Sequence, residues 1–136
     1  MRRAIAIAIV IVAAGVILAG GWAWLGRDTG GAPIVAVTVP ELSAHEAAGA
    51  ALYETHCAAC HGPDAAGRAG TAPPLVHEIY EPGHHPDAAF VAAVELGVHA
   101  HHWDYGDMPA VQGLDRDAIA AITAYVRALQ RANDIH

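Results

Sequence analysis

The chain has 136 residues, room for one domain and an appendage, and carries a formal net charge of −7 at pH 7. All seven of its cations are arginine and all fourteen carboxylates lie at Asp28 or later, so the part beyond residue 26 sets five arginines against fourteen acids. Such a surface repels a phosphate backbone, which excludes nucleic acid as a partner and suits a docking partner with a basic or largely apolar patch.

Residues 1–3, Met1-Arg2-Arg3, read as a cytoplasmic N-terminus. Residues 4–25 contain no charged side chain, and as a helix they would extend about 33 Å, enough to cross a hydrocarbon core of roughly 30 Å. We read this stretch as a single transmembrane signal-anchor. The two arginines stay inside, so the rest is delivered to the periplasmic, extracytoplasmic side of a bacterial cytoplasmic membrane. A cleaved secretory signal is the alternative, with Leu18-Ala19-Gly20-Gly21 as its cleavage region. Its apolar core would be only about 7–15 residues, shorter than this one.

Residues 26–42 are rich in Gly, Pro, Val and Thr, with Pro33 and Pro40 interrupting any helix, and are expected to form a flexible linker. Fully extended they would reach about 56 Å. The run Ile34–Val39 has the composition of a short strand, but no partner strand is evident.

The domain is expected over residues 43–136. Its first helix is announced by Ser43 with Glu46 three positions on, a capping box. That helix leads into Cys57-Ala58-Ala59-Cys60-His61, and the chain has no other cysteine. C-x-x-C-H is the attachment pattern of a covalent c-type haem: two thiols three positions apart can add to two vinyl groups of one porphyrin, and the adjacent imidazole is placed to ligate the iron. A thioredoxin-like C-x-x-C would need a βαβ context, and a zinc site a second ligand pair.

A second helix is expected after Pro86-Asp87, carrying Phe90, Val91 and Val94, with Val98 a turn further and Gly97 near its end. A third begins at Asp115 as N-cap and shows Ile119, Ile122, Val126 and Leu129 as a core stripe opposite Arg116, Arg127 and Arg131. No alternation at period two appears beyond Ser43, so the fold class is all-α. Three main helices would wrap one covalent haem, whose apolar surface completes a core that is thin for so short a domain.

Histidines are in surplus. His84-His85-x-Asp87 and His99-x-His101-His102, together with His77, offer nitrogen ligands for copper or zinc, although solvated or propionate-tethering histidines account for them as well. Trp103 and Tyr105 are candidates to line the haem edge, their polar tips reaching propionates.

The chain resembles the class I cytochrome c family over roughly Ser43 to Ala132. Gly49, Tyr53, Cys57, Cys60 and His61 stand at the family's N-terminal helix positions, and Ile122 and Tyr125 match the C-terminal helix pair that packs on them. Pro73 and Leu75 look like the Pro-x-Leu that follows the haem site. By that resemblance, the Pro73 carbonyl accepts a hydrogen bond from His61 Nδ1. Gly106-Asp107-Met108-Pro109 resembles the family's distal segment, making Met108 the second axial ligand. His99, His101 and His102 are rival ligands, which would give a lower-potential bis-histidine centre.

The resemblance implies a one-electron carrier with one haem c and no enzymatic role, and residues 4–25 would tether it to the membrane. Its partners would be redox proteins such as a quinol–cytochrome c oxidoreductase or a terminal oxidase. Two other classes stay open: a haem protein that handles copper through its histidine loops, and a small haem enzyme or sensor with an exchangeable sixth position.

Overall fold

The computed structural model describes residues 31–136. The expected anchor, residues 4–25, lies outside them. Among the described residues no helix is long and apolar enough to cross a membrane.

Four α-helices follow in order: α1 (Ala44–His56), α2 (Ala58–His61), α3 (Asp87–Leu96) and α4 (Arg116–Ala132), with 3-10 turns at Pro63–Ala65 and Glu78–Tyr80. No named strand occurs among the described residues, and the architecture is all-α. The start of α1 follows from its cap: the Ser43 hydroxyl accepts from Glu46 N at 3.3 Å, while Ser43 N donates to the Glu46 carboxylate at 2.8 Å. Those bonds hold Glu46 below the usual carboxylate range. The start of α4 is set in the same way by Asp115, which accepts from Ala118 N at 2.8 Å.

α1 and α4 pack closely against each other. A Cβ on Gly49 would overlap the Ala121 carbonyl oxygen, so only glycine lets the two backbones meet there. Beside this crossing the rings of Tyr53 and Tyr125 lie 5.5 Å apart. The apolar stripe of α4 faces inward as its spacing requires, with Ile119, Ile122, Val126 and Leu129 all buried.

One residue of α4 departs from that pattern. Arg127, expected on the solvent face, is buried. Its guanidinium donates to Asp87 Oδ1 at 2.8 Å, Tyr80 O at 2.7 Å, Gln130 Oε1 at 2.6 Å and the His85 carbonyl, and lies over the Phe90 ring. The stretch from Tyr80 to Phe90 is thereby tied to α4. Such carbonyl acceptors, held in place by tertiary structure, outweigh the tendency of a charge to face water.

The stretch expected as a linker is, from residue 31 onward, laid along the domain. Ile34 N and Val35 N both donate to Ala66 O at 3.1 Å, Ala69 N donates to Ala32 O, and Thr38 exchanges two 2.9 Å hydrogen bonds with the Asn133 side chain. Val35 and Val37 pack on the core. The packed unit therefore begins ahead of Ser43, and its extra segment braces the loop that follows α2.

Candidate functional site

α1 ends where the motif begins. Cys57 caps α1 and starts α2, which carries Cys60 and His61 and stops at Gly62. The Tyr53 hydroxyl donates to Gly62 O at 3.0 Å, locking the exit from the motif to the α1–α4 crossing.

The chain then turns back on itself. Asp64 and Ala65 both take positive φ, 52° and 58°, a strained pair for residues with a Cβ. The turn is held from outside, because the Tyr125 hydroxyl donates to Asp64 Oδ1 at 3.0 Å. From it, Ala65 O accepts from Leu75 N at 2.9 Å and Gly67 N donates to His61 O at 2.7 Å, which returns Pro73 to the motif. His61 Nδ1 then lies 2.9 Å from Pro73 O. A carbonyl can only accept, so Nδ1 carries the proton and Nε2 keeps its lone pair. Burial keeps the ring below the usual histidine range, with the Pro73 contact acting the other way. A neutral imidazole with Nε2 free is the form an iron ligand needs.

Met108 is placed from the other side. Its N–H and carbonyl exchange 2.9 Å hydrogen bonds with Val98, immediately after α3. Gly97, which ends α3 at φ 78°, makes that approach possible, since a Cβ there would stand 2.6 Å from Met108 O. Val111 N donates to Val94 O at 2.8 Å just beyond, so the Met108 segment is strapped to α3 and to the residues that follow it.

Between the two lies a cavity of about 490 Å³, lined by Cys57, Cys60, His61 and Met108 and by apolar groups that include Val94 and Val126. Pro73, Leu75, Trp103 and Tyr105 line it too. Burial, and secondarily Cys60, push the Cys57 thiol up to about 11. The Trp103 indole N–H is buried and finds no acceptor in hydrogen-bond geometry, although it is near enough to Tyr80 to offset part of the rise that burial imposes on that phenol. An orphaned donor at an apolar cavity suits a carboxylate-bearing cofactor. Paired thiols, a lone-pair nitrogen, a thioether and an indole N–H together fit an iron porphyrin.

The family model for cytochrome c matches residues 46–130. The chain belongs to the cytochrome c family. This cytochrome binds haem c covalently, with Cys57 and Cys60 at the C-x-x-C-H spacing, and is a haem-based electron carrier whose partners are redox proteins. When bound, haem iron supplies the one-electron chemistry by cycling between ferrous and ferric states. Neither proteins of known function nor solved structures give a significant match.

The remaining histidines divide. His99 is exposed and its Nδ1 lies 2.9 Å from Asp107 Oδ2, an arrangement that holds Asp107 below its usual range after the larger effect of Ala100 N. His77 Nδ1 accepts from Ile79 N at 3.2 Å, and its ring stands edge-on to Trp103. Neither joins a ligand group. The structure instead gathers His84 and His85 from one loop with His102 from another. Tyr80 and His85 also line the cavity, and no sequence period marks them because they come from a 3-10 turn and a loop.

Proposed function

We propose that this cytochrome is a one-electron carrier, not an enzyme, in which His61 Nε2 and Met108 Sδ ligate the iron of the haem held by Cys57 and Cys60. Supporting this is one relationship: His61 and Met108 line the same cavity, and each is anchored by backbone hydrogen bonds of its own segment. With both axial positions filled, no substrate reaches the metal, and a soft thioether favours ferrous iron and raises the potential. The rival imidazoles are less suited. His101 and His102 also line the cavity, but they and His99 are exposed, whereas Met108 is partly buried.

Residues 4–25 would tether the domain to the outer face of a bacterial cytoplasmic membrane, where it would pass electrons between partners such as a quinol–cytochrome c oxidoreductase and a terminal oxidase. The acidic surface favours partners with basic patches. Leu96, 79 % exposed at the cavity's lining, offers an apolar contact near the redox centre.

Carbon monoxide tests the ligand set. The reduced protein is expected to resist it at neutral pH, and Met108→Ala to bind it readily. Ready binding by the unaltered protein would make the sixth position exchangeable and support a sensor or enzyme instead. For the tether, full-length protein should remain in washed membranes while a form lacking residues 1–25 does not; equal release of both would remove that part.

A further inference from the structure

At one edge of the cavity three imidazoles from two loops converge. One nitrogen from each of His84, His85 and His102 can be chosen so that all lie within 4.8 Å of one another. The His84 and His85 rings stack at 4.7 Å, and His102 stands edge-on to both at 5.3 Å. A shared cation would account for this convergence of three nitrogen donors.

The tautomers point the same way. His85 Nδ1 is 2.6 Å from Ile79 O, which fixes the proton there and leaves Nε2 as a donor of electrons. His101, whose ring centre is 4.2 Å from that of His102, repeats the arrangement with Nδ1 at 2.7 Å from His99 O. A backbone carbonyl holding the far nitrogen is the usual support of a metal-bound histidine.

We propose that His84, His85 and His102 bind one divalent transition-metal ion of the zinc and copper class, clipping the loop before α3 to the loop that leads to Met108. An all-nitrogen donor set disfavours magnesium and calcium, which take oxygen ligands, and suits zinc, copper or nickel. Bonds of about 2.0–2.1 Å put the nitrogens of a tetrahedral site roughly 3.4 Å apart, so the rings need to close in by up to about 1.4 Å. His84 and His102 are exposed and free to do so, and the fourth position falls to water or His101. This site depends neither on the anchor nor on Met108 ligating the haem.

The test uses the haem-loaded protein without a histidine tag, stripped with a chelator and titrated calorimetrically with zinc chloride and, separately, copper(II) chloride. One equivalent should bind in the micromolar range or tighter. His84→Ala with His102→Ala should weaken binding at least about a hundredfold, beyond what loss of a hydrogen bond to a ligand costs. His45→Ala with His56→Ala, both exposed on α1, should leave it unchanged. No saturable binding, or equal loss in both pairs, would overturn the proposal. Should the first pair disturb the haem absorption, copper(II) EPR of the unaltered protein decides: coupling to three imidazole nitrogens supports the site, and an oxygen-dominated spectrum sinks it.

Discussion

Gly49 on α1 lies directly under the Ala121 carbonyl of α4, with no room between them for a methyl group. Glycine inside a helix ordinarily costs about 1 kcal/mol relative to alanine, so Gly49→Ala would stabilise an isolated α1. Here the obstacle is backbone, which cannot rotate aside, and forcing a methylene into a packed site costs typically 1–3 kcal/mol. We expect Gly49→Ala to be net destabilising in denaturant titration and Gly49→Val more so. A more stable Gly49→Ala variant would mean that the helices separate easily.

The buried Arg127 gives a second expectation. Its side chain is 8 % exposed while its partner Asp87 is 73 % exposed, so the two ends of this ion pair are unequal. Arg127→Met would strip the His85 carbonyl of its donor, at about 1–3 kcal/mol for the group left unsatisfied, while Tyr80 O keeps the Gln130 Nε2 donor at 3.1 Å. Asp87→Asn should cost less than about 1 kcal/mol, as exposed pairs do. Equal losses would show that the charge pair, and not the carbonyl contacts, dominates.

Tyr53 and Tyr125 make stability fall in alkali. Burial raises both phenols well above the ordinary tyrosine value, and the hydrogen bond to Asp64 adds to the rise for Tyr125. A folded-state pKa above the unfolded one leaves the contribution fully present below about pH 10, the unfolded value, and removes it as pH climbs toward the folded values. Denaturation midpoints should therefore be level from pH 8 to 9.5 and drop above about pH 10. Tyr53→Phe should lower the midpoint near neutrality, through loss of the bond to Gly62 O, yet flatten the alkaline drop.

Losing either thiol should lose the fold as well as the colour. A cavity of about 490 Å³ in so small a domain leaves uncovered the faces of Val94, Ile122 and Val126 that line it unless the porphyrin fills it. Cys57→Ser and Cys60→Ser are expected to give protein with reduced helicity and no cooperative melt by circular dichroism. A colourless variant with native helicity and melting would contradict a structural role for the cofactor.

These elements were not equally readable from sequence. Ser43 with Glu46, Asp115, and the stripe Ile119–Leu129 act within a turn or two of themselves, so local spacing was enough to place the helices. The Cys57–His61 motif is local too. The burial of Arg127 is not legible locally because it depends on carbonyls at Tyr80 and His85, more than forty positions away, which leave no pattern. The segment after residue 31 looked like a linker because its partners, Ala66 and Asn133, are equally remote. Adjacency grouped His84 with His85 and His101 with His102, and only the fold brings His102 across to the first pair.

Axial ligation by His61 and Met108 is the centre of this account, and the optical spectrum of the ferric protein addresses it most directly. A weak red band from an iron–thioether bond, present in the unaltered protein and abolished in Met108→Ala, is the expected result. A ferric spectrum without that band at neutral pH, of the bis-histidine or water-ligated kind, would contradict it.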